Sequence, residues 1–349
     1  MKHGGDLADA MKQFGGSFDD WLDLSTGINP WPWPVPARLP DAAWQRLPSV
    51  ADVEQIAAAA RRAYRVARHA AIVVAPGTQA LIQWLPRLAA PGAVAIMRPI
   101  YEEHVQSWQN AGRAVIETGR LDPLPAVARH AVIVNPNNPD GRVIDRATLA
   151  RIAGEVQRAG GWLILDESFV DLDPGQSAVD MTAELPVVVL RSFGKFHGLA
   201  GIRLGFAIAA RPIADRVAEA LGPWAVSGPT LAIGRAALGD AEWAAAMRPR
   251  LAAQASLLDA VLTAAGLAIV GGTALFRLAS HPRAREIHRS LAAQRIWSRR
   301  FDWRDDLLRF GLPADQAGLD RLAAALMRAT DAHDAVHGTM TGLPSWAAR

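Results

Sequence analysis

From about residue 70 onward, short apolar runs alternate with amphipathic stretches. The runs Ala71–Ala75, Ala93–Met97, Ala114–Glu117, Ala131–Asn135, Trp162–Asp166, Val187–Arg191 and Gly205–Ala209 are rich in Val and Ile and lack polar alternation. That is the signature of strands buried on both faces. Between them, Leu81–Ala89, His104–Ala111 and Arg146–Ala159 carry the apolar spacing of helices. Repeated strand–helix units predict an α/β fold, a mostly parallel sheet with right-handed crossovers and helices on both faces. Past residue 240 the pattern changes. A long helix over Ala241–Ala265, short strands near Leu267–Val270, Ala274–Ala279, Ile296–Arg300 and Leu307–Gly311, and a last helix over Gln316–Ala329 predict a smaller α+β domain. Ahead of the sheet, Asn29-Pro30-Trp31-Pro32-Trp33-Pro34-Val35-Pro36 is closed to regular structure, because its prolines lack donors and fix φ. The expected organisation is an arm over residues 1–45 serving the small domain and the active site, a large domain over 46–240, and a small domain over 241–349.

Half of the 349 residues are hydrophobic and a fifth are charged. That excludes a disordered chain and leaves ample material for a core. Cysteine is absent, so disulfides, thiolate metal sites and cysteine nucleophiles are excluded, and no metal is expected. No apolar run reaches the length of a membrane span, and the first residues lack a secretory pattern. The expectation is a soluble cytoplasmic protein. The net charge is +3, from 37 basic and 34 acidic residues. The basic residues are scattered, so the patch expected of a nucleic-acid binder is missing.

Nearly all the basic residues are arginine; the lysines are Lys2, Lys12 and Lys195. A chain that uses arginine almost everywhere keeps one lysine in its middle. Arginine stays protonated, whereas lysine can act as an amine nucleophile. Lys195 is therefore the first candidate for chemistry.

In doubly wound sheets ligands bind beyond the carboxyl ends of the strands, and five such loops stand out. Pro76-Gly77-Thr78-Gln79-Ala80 lies after a strand and before a helix and is suited to a phosphate. Pro99-Ile100-Tyr101 holds one of only two tyrosines. Asn135-Pro136-Asn137-Asn138-Pro139-Asp140-Gly141 is a fixed turn rich in amide side chains. Asp166-Glu167-Ser168-Phe169 places an acid at the end of a buried strand, where it requires a cation or donors. Ser192-Phe193-Gly194-Lys195 is followed by Arg203. Together they call for a cofactor with a phosphate, a protonated ring nitrogen and an aldehyde. That is pyridoxal phosphate, held by a lysine Schiff base and a carboxylate at the pyridine nitrogen.

Over nearly its whole length the sequence resembles the fold-type-I, aspartate-aminotransferase-like enzymes, specifically the branch of histidinol-phosphate aminotransferases and threonine-phosphate decarboxylases. The residues that carry this are Asn135–Gly141 for N-P-x-N-P-[TD]-G, Asp166–Phe169 for D-E-[AS]-[YF], Ser192–Lys195 for S-x-x-K, and Gly201–Gly205 for G-[LI]-R-x-G. The resemblance implies that Lys195 anchors the cofactor and Asp166 keeps its ring nitrogen protonated. It implies that Asn138 bonds the phenolic oxygen, Tyr101 stacks on the ring, and Gly77, Thr78, Ser192 and Arg203 hold the phosphate. It gives Arg309 the substrate carboxylate and His104 the support of Asp166; a structural histidine is the alternative for His104. Within the branch, His3-Gly4-Gly5-Asp6 and Leu22–Pro30 resemble the decarboxylases of cobalamin biosynthesis. That implies decarboxylation of L-threonine O-3-phosphate to (R)-1-amino-2-propanol O-2-phosphate by a homodimer, whose partner chain is expected to cover apolar surface that the arm exposes around Trp31 and Trp33. His3, Gly4, Asn29, Asn138 and Arg299 are then candidate substrate contacts. Strand alternation puts Arg299 and Arg300 on opposite faces, and the sequence leaves the choice between them open. Two departures stand out: Leu47-Pro48-Ser49 where many relatives have Tyr-Pro-Asp, and Gly194 where a small hydroxyl residue is usual.

An aminotransferase of the histidinol-phosphate type would share every cofactor contact. A catalytically dead homologue or a basic nucleic-acid binder is the non-enzyme alternative; the intact Lys195, Asp166 and Asn138 weigh against the first, the scattered charge against the second.

Overall fold

A computed structural model describes residues 5–331. His3 and Gly4 lie outside the described residues. Contacts divide the chain into two compact units, one of Trp31–Arg250 and one of the two ends, up to Pro30 and from Leu251 onward.

Strand β1 (Leu22–Leu24) belongs to the unit of the chain ends. The other unit holds β2 (Ala70–Ala75), β3 (Ala93–Met97), β4 (Val115–Thr118), β5 (Ala128–Val134), β6 (Leu163–Asp166), β7 (Val187–Ser192) and β8 (Gly205–Ala210). They form one sheet in the order β2-β8-β7-β6-β5-β3-β4. Only β8 runs against its neighbours, β7 and β2; β3 through β7 pair in parallel. Reversing β8 between two like-directed strands sets β2 parallel to the rest. The carboxyl ends of β2, β3, β5, β6 and β7 and the start of β8 therefore share one edge. Alternate residues of the central strands enter different cores: Leu163, Leu165, Val187 and Val189 pack with Leu149 and Ile152, while Ile164, Val188 and Leu190 pack with Leu81 and Trp108. Burial on both faces is why these strands read as continuous apolar runs.

The unit of the chain ends carries β9 (Ala268–Thr273), β10 (Phe276–Ser280), β11 (Ile296–Arg300) and β12 (Leu307–Gly311). With β1 they form a sheet ordered β1-β11-β12-β10-β9. β1 pairs parallel with β11, and β11 pairs antiparallel with β12. A three-residue strand has too little periodicity to be read in advance, so β1 is an addition to the expected elements, as is the helix Val50–Ala63. Ser49 begins that helix with a capping box: its hydroxyl accepts from Asp52 N at 3.2 Å, and the Asp52 carboxylate accepts from Ser49 N at 2.9 Å.

The sequence suggested that Trp31 and Trp33 leave apolar surface for a partner chain; the structure corrects this. Trp33 is buried, and its indole donates to Asp240 at 3.0 Å. The Arg250 guanidinium lies 3.7 Å from the Trp31 ring centroid. These contacts draw the arm from Trp31 onward into the unit that ends at Arg250, whereas the sequence pattern suggested breaks at 45 and 240. Among the described residues, no helix is long and apolar enough to cross a membrane.

Candidate active site

The shared edge of the large sheet gathers the loops singled out by sequence. Asp166 ends β6 and is 3% exposed. One carboxylate oxygen lies 2.9 Å from His104 Nε2; the other accepts from the Ser168 backbone N at 2.9 Å and from the Ser168 hydroxyl. Burial alone would raise the Asp166 pKa, but the His104 and Ser168 hydrogen bonds more than offset it and hold the carboxyl below its ordinary range. His104 sits on the helix Glu103–Asn110 and is itself buried. The Tyr101 ring meets it edge-on, centroids 6.2 Å apart, and the Tyr101 hydroxyl lies 3.4 Å from Gln79 Oε1. Sequence reading gave no role to Ser168 or Gln79, although each lies inside a loop that the sequence singles out.

After β5, two asparagines hold the turn. Asn135 exchanges hydrogen bonds with the Ile144 backbone at 2.8 and 3.2 Å. Asn137 donates to Pro99 O at 2.9 Å and to the Asp140 carboxylate at 2.7 Å. Asn138 follows them in the same turn and is half-buried.

After β2, Gly77 takes φ +82° and begins the helix Thr78–Leu88, with no side-chain cap. A Cβ on Gly77 would stand 2.7 Å from the Arg203 guanidinium, so only glycine admits that cation beside the helix start. Gly205 is similarly required, since its Cβ would lie 2.5 Å from Thr78 N. Ser192, the last residue of β7, pairs in register with Gly205. Gly77, Thr78, Ser192 and Arg203 are thus brought close together at a helix start, where an anion is favoured. Lys195 follows on the single helical turn Phe193–Phe196, half-buried between the buried side chains Phe193 and Phe196.

The other unit carries the remaining candidates. Arg309 on β12 is 7% exposed and donates to Ser25 O at 2.7 Å. Ser25 is fixed in turn by Asp23, which accepts from its N at 2.8 Å and its hydroxyl at 2.6 Å. Arg299 is the register partner of Arg309 across β11 and β12. Directly opposed residues share a face, so Arg299 stands beside Arg309 and exposed Arg300 points the other way. Burial, then the like charge of Arg299, lower the Arg309 pKa to about 10, with Asp23 acting against the shift. Asn29 is 2% exposed. Leu47 is largely exposed.

The sequence profile of the aminotransferase class I and II family matches residues 50–326. A threonine-phosphate decarboxylase from Pseudomonas aeruginosa is 43% identical over 94% of this chain and 97% of its own length. One from Sinorhizobium is 45% identical over 93% of this chain and 97% of its own. Among solved structures, the histidinol-phosphate aminotransferase of Sinorhizobium meliloti in complex with pyridoxal-5'-phosphate superimposes with a TM-score of 0.81 at 20% identity, covering 94% of this chain and 95% of that one. At that identity it speaks for the fold alone. Sequence profile, near-full-length relatives and fold agree: the chain belongs to the aminotransferase class I and II family.

Proposed function

We propose that the protein is a pyridoxal 5'-phosphate-dependent decarboxylase that converts L-threonine O-3-phosphate to (R)-1-amino-2-propanol O-2-phosphate and carbon dioxide, a step of cobalamin biosynthesis. The large unit's donors fit the cofactor. The hollow at Gly77, which a Cβ would fill, lies beside Arg203 and suits a phosphate. The buried Asp166 carboxylate suits a protonated ring nitrogen, and Lys195 suits an aldehyde. When bound, the cofactor supplies the link to the substrate amine and a sink for the electron pair left at Cα.

The rest falls to the chain's own groups. Asp166, held ionised by His104 and Ser168, keeps the ring-nitrogen proton in place. With the cofactor bound, Asn138 would hold the phenolic oxygen and Tyr101 would pack against the ring. The Cα–carboxylate bond breaks as carbon dioxide departs, and Lys195 Nζ delivers the proton that Cα then takes up.

The observation that carries the substrate assignment is the Arg299–Arg309 pair. The two are register partners on one face of the sheet, so their guanidinium charges lie side by side, an arrangement suited to an anionic substrate. Threonine phosphate offers two anionic groups, and both near-full-length relatives are named for it. Arg309 takes the carboxylate; Arg299 and Asn29, with His3 and Gly4 of the N-terminus, take the phosphate.

The test is purified protein with cofactor and threonine phosphate, assayed for carbon dioxide and for the cofactor's final form. Release of carbon dioxide with the aldehyde form regenerated is expected, and Lys195→Ala abolishes it. Conversion to the amine form without carbon dioxide would overturn the reading in favour of transamination. We further read the enzyme as a cytoplasmic homodimer. The exposed run of Trp44, Leu47 and Val50 in the large unit is apolar surface for a second copy to cover. An active monomer in sedimentation at assay concentration would rule the dimer out.

A further inference from the structure

His197 lies two residues after Lys195 and is 4% exposed. Its ring stacks on Phe193 at 4.2 Å between centroids and 6° between planes, and on Trp243 at 5.5 Å and 12°. Phe196 meets it edge-on at 5.3 Å. Phe193 O receives both the His197 backbone N–H, at 3.4 Å, and the ring Nδ1, at 3.3 Å; the bond to a carbonyl assigns the proton to Nδ1. His197 O in turn accepts from Trp33 N at 2.9 Å.

The contacts close a circuit. The Trp33 indole bonds Asp240, and Asp240 accepts from Trp243 N at 2.9 Å at the start of the helix Ala241–Ala264. That helix carries Trp243 back onto His197. One turn further, Arg248 lies 5.2 Å over the Phe196 ring and donates to Asp171 O at 2.8 Å. A four-residue helix has no stability of its own, so the turn bearing Lys195 takes its shape from these neighbours. Burial keeps His197 neutral, reinforced by Arg191 and Arg248 against Asp171 and the Phe193 carbonyl. A neutral ring can stay in such a stack without an uncompensated charge.

We propose that His197 is a positioning residue for Lys195, its ring acting as the wedge between Phe193 and Trp243 that fixes the direction in which the lysine leaves its turn. This rests on the reading of Lys195 as the cofactor's anchor. His197 does not touch the reacting atoms; it acts through the backbone of Phe193–Phe196.

Two readouts separate positioning from plain stability. The first needs no cofactor: trace acetylation of the full chain with acetic anhydride, taking Lys195 relative to Lys12, which is exposed on the helix Ala8–Phe14. The second is the visible circular dichroism of bound pyridoxal phosphate, which reports how its orientation is fixed, together with steady-state kinetics. His197→Ala is expected to raise the Lys195:Lys12 labelling ratio and weaken the dichroism per bound cofactor. It should lower kcat on the order of tenfold with KM little changed, as misplacement of a reacting group does. His197→Phe keeps a stacking ring and should recover all three, and Trp243→Leu should resemble His197→Ala. If His197→Ala does not melt cooperatively, Trp243→Leu and His197→Phe decide. A wild-type labelling ratio in the decisive variant overturns the proposal, as does failure of His197→Phe to recover. If the wild-type protein releases no carbon dioxide yet the ratio shifts, the proposed reaction fails while the positioning role of His197 stands.

Discussion

His104 Nε2 stands 2.9 Å from Asp166 Oδ2, with both side chains almost wholly buried. A carboxylate in such a place would take up a proton were it not for the hydrogen bonds from His104 and Ser168. Its pKa is lower folded than unfolded. It therefore contributes stability at pH values above the ordinary carboxylate range, and that contribution is lost as pH falls through the lower, folded value. His104→Ala removes a hydrogen bond to a charged group and should cost about 1.5–3 kcal/mol at neutral pH. It should also move the acid-side loss of stability to higher pH, because the folded pKa rises. Urea unfolding of both proteins across about pH 3–7 measures this, and superimposable stability–pH curves would refute the pairing.

Gly194 stands where relatives of the resembled branch have a small hydroxyl residue. A Cβ there would sit 2.6 Å from the Cα of Ala200 and 3.1 Å from its N. Backbone cannot swing aside as a flexible side chain can. Gly194→Ser should therefore destabilise by about 1–3 kcal/mol, the usual cost of overpacking, rather than restore a phosphate contact. Thermal melting and cofactor titration together check it; a variant as stable as the parent with tighter cofactor binding would show the opposite.

The strands of the large sheet were legible because both faces are covered, so Leu163 to Leu165 and Val187 to Leu190 present unbroken apolar runs. Lys195 and Asp166 stand out as candidates because their residue types are rare or costly at those places. What was illegible depends on partners distant in sequence. Alternation could not choose between Arg299 and Arg300 without the register of β11 against β12. Arg309 is held by a backbone carbonyl, that of Ser25, and a carbonyl leaves no mark on residue identity. The exposure assigned to Trp33 failed because its partner Asp240 lies 207 residues away.

That register gives a paired test. Arg299 shares a face with buried Arg309, and Arg300 is exposed on the other. Arg299→Met should lower kcat/KM for threonine phosphate by on the order of 10- to 100-fold, the worth of a charge-assisted hydrogen bond to phosphate. Removing its like charge should let the Arg309 pKa rise from about 10 toward its ordinary value, and the unfolding midpoint of the cofactor-free protein should hold or increase. Arg300→Met should leave kcat/KM within about twofold, as surface changes away from a site do. Equal losses in the two variants would remove Arg299 from the site.

A decarboxylase must hold a carboxylate firmly enough to orient it and yet let it leave as neutral carbon dioxide. Tight pairing with Arg309 would stabilise ground state and transition state alike, and such uniform binding does not speed the step. The phosphate end would then supply the anchorage that orients the carboxylate for departure. Threonine without its phosphate should be a poor substrate, with kcat lowered as well as KM raised, because a remote group that orients the reacting bond contributes to both. Asn29, 2% exposed and adjoining the prolines of the arm, is the described residue on which to test this. Asn29→Ala should erode the preference for threonine phosphate over threonine while leaving the cofactor spectrum intact. Kinetics on the two substrates decide the matter. Equal kcat/KM for threonine and its phosphate ester in the wild-type protein would sink both the decarboxylase reading and the anchoring role of the arm.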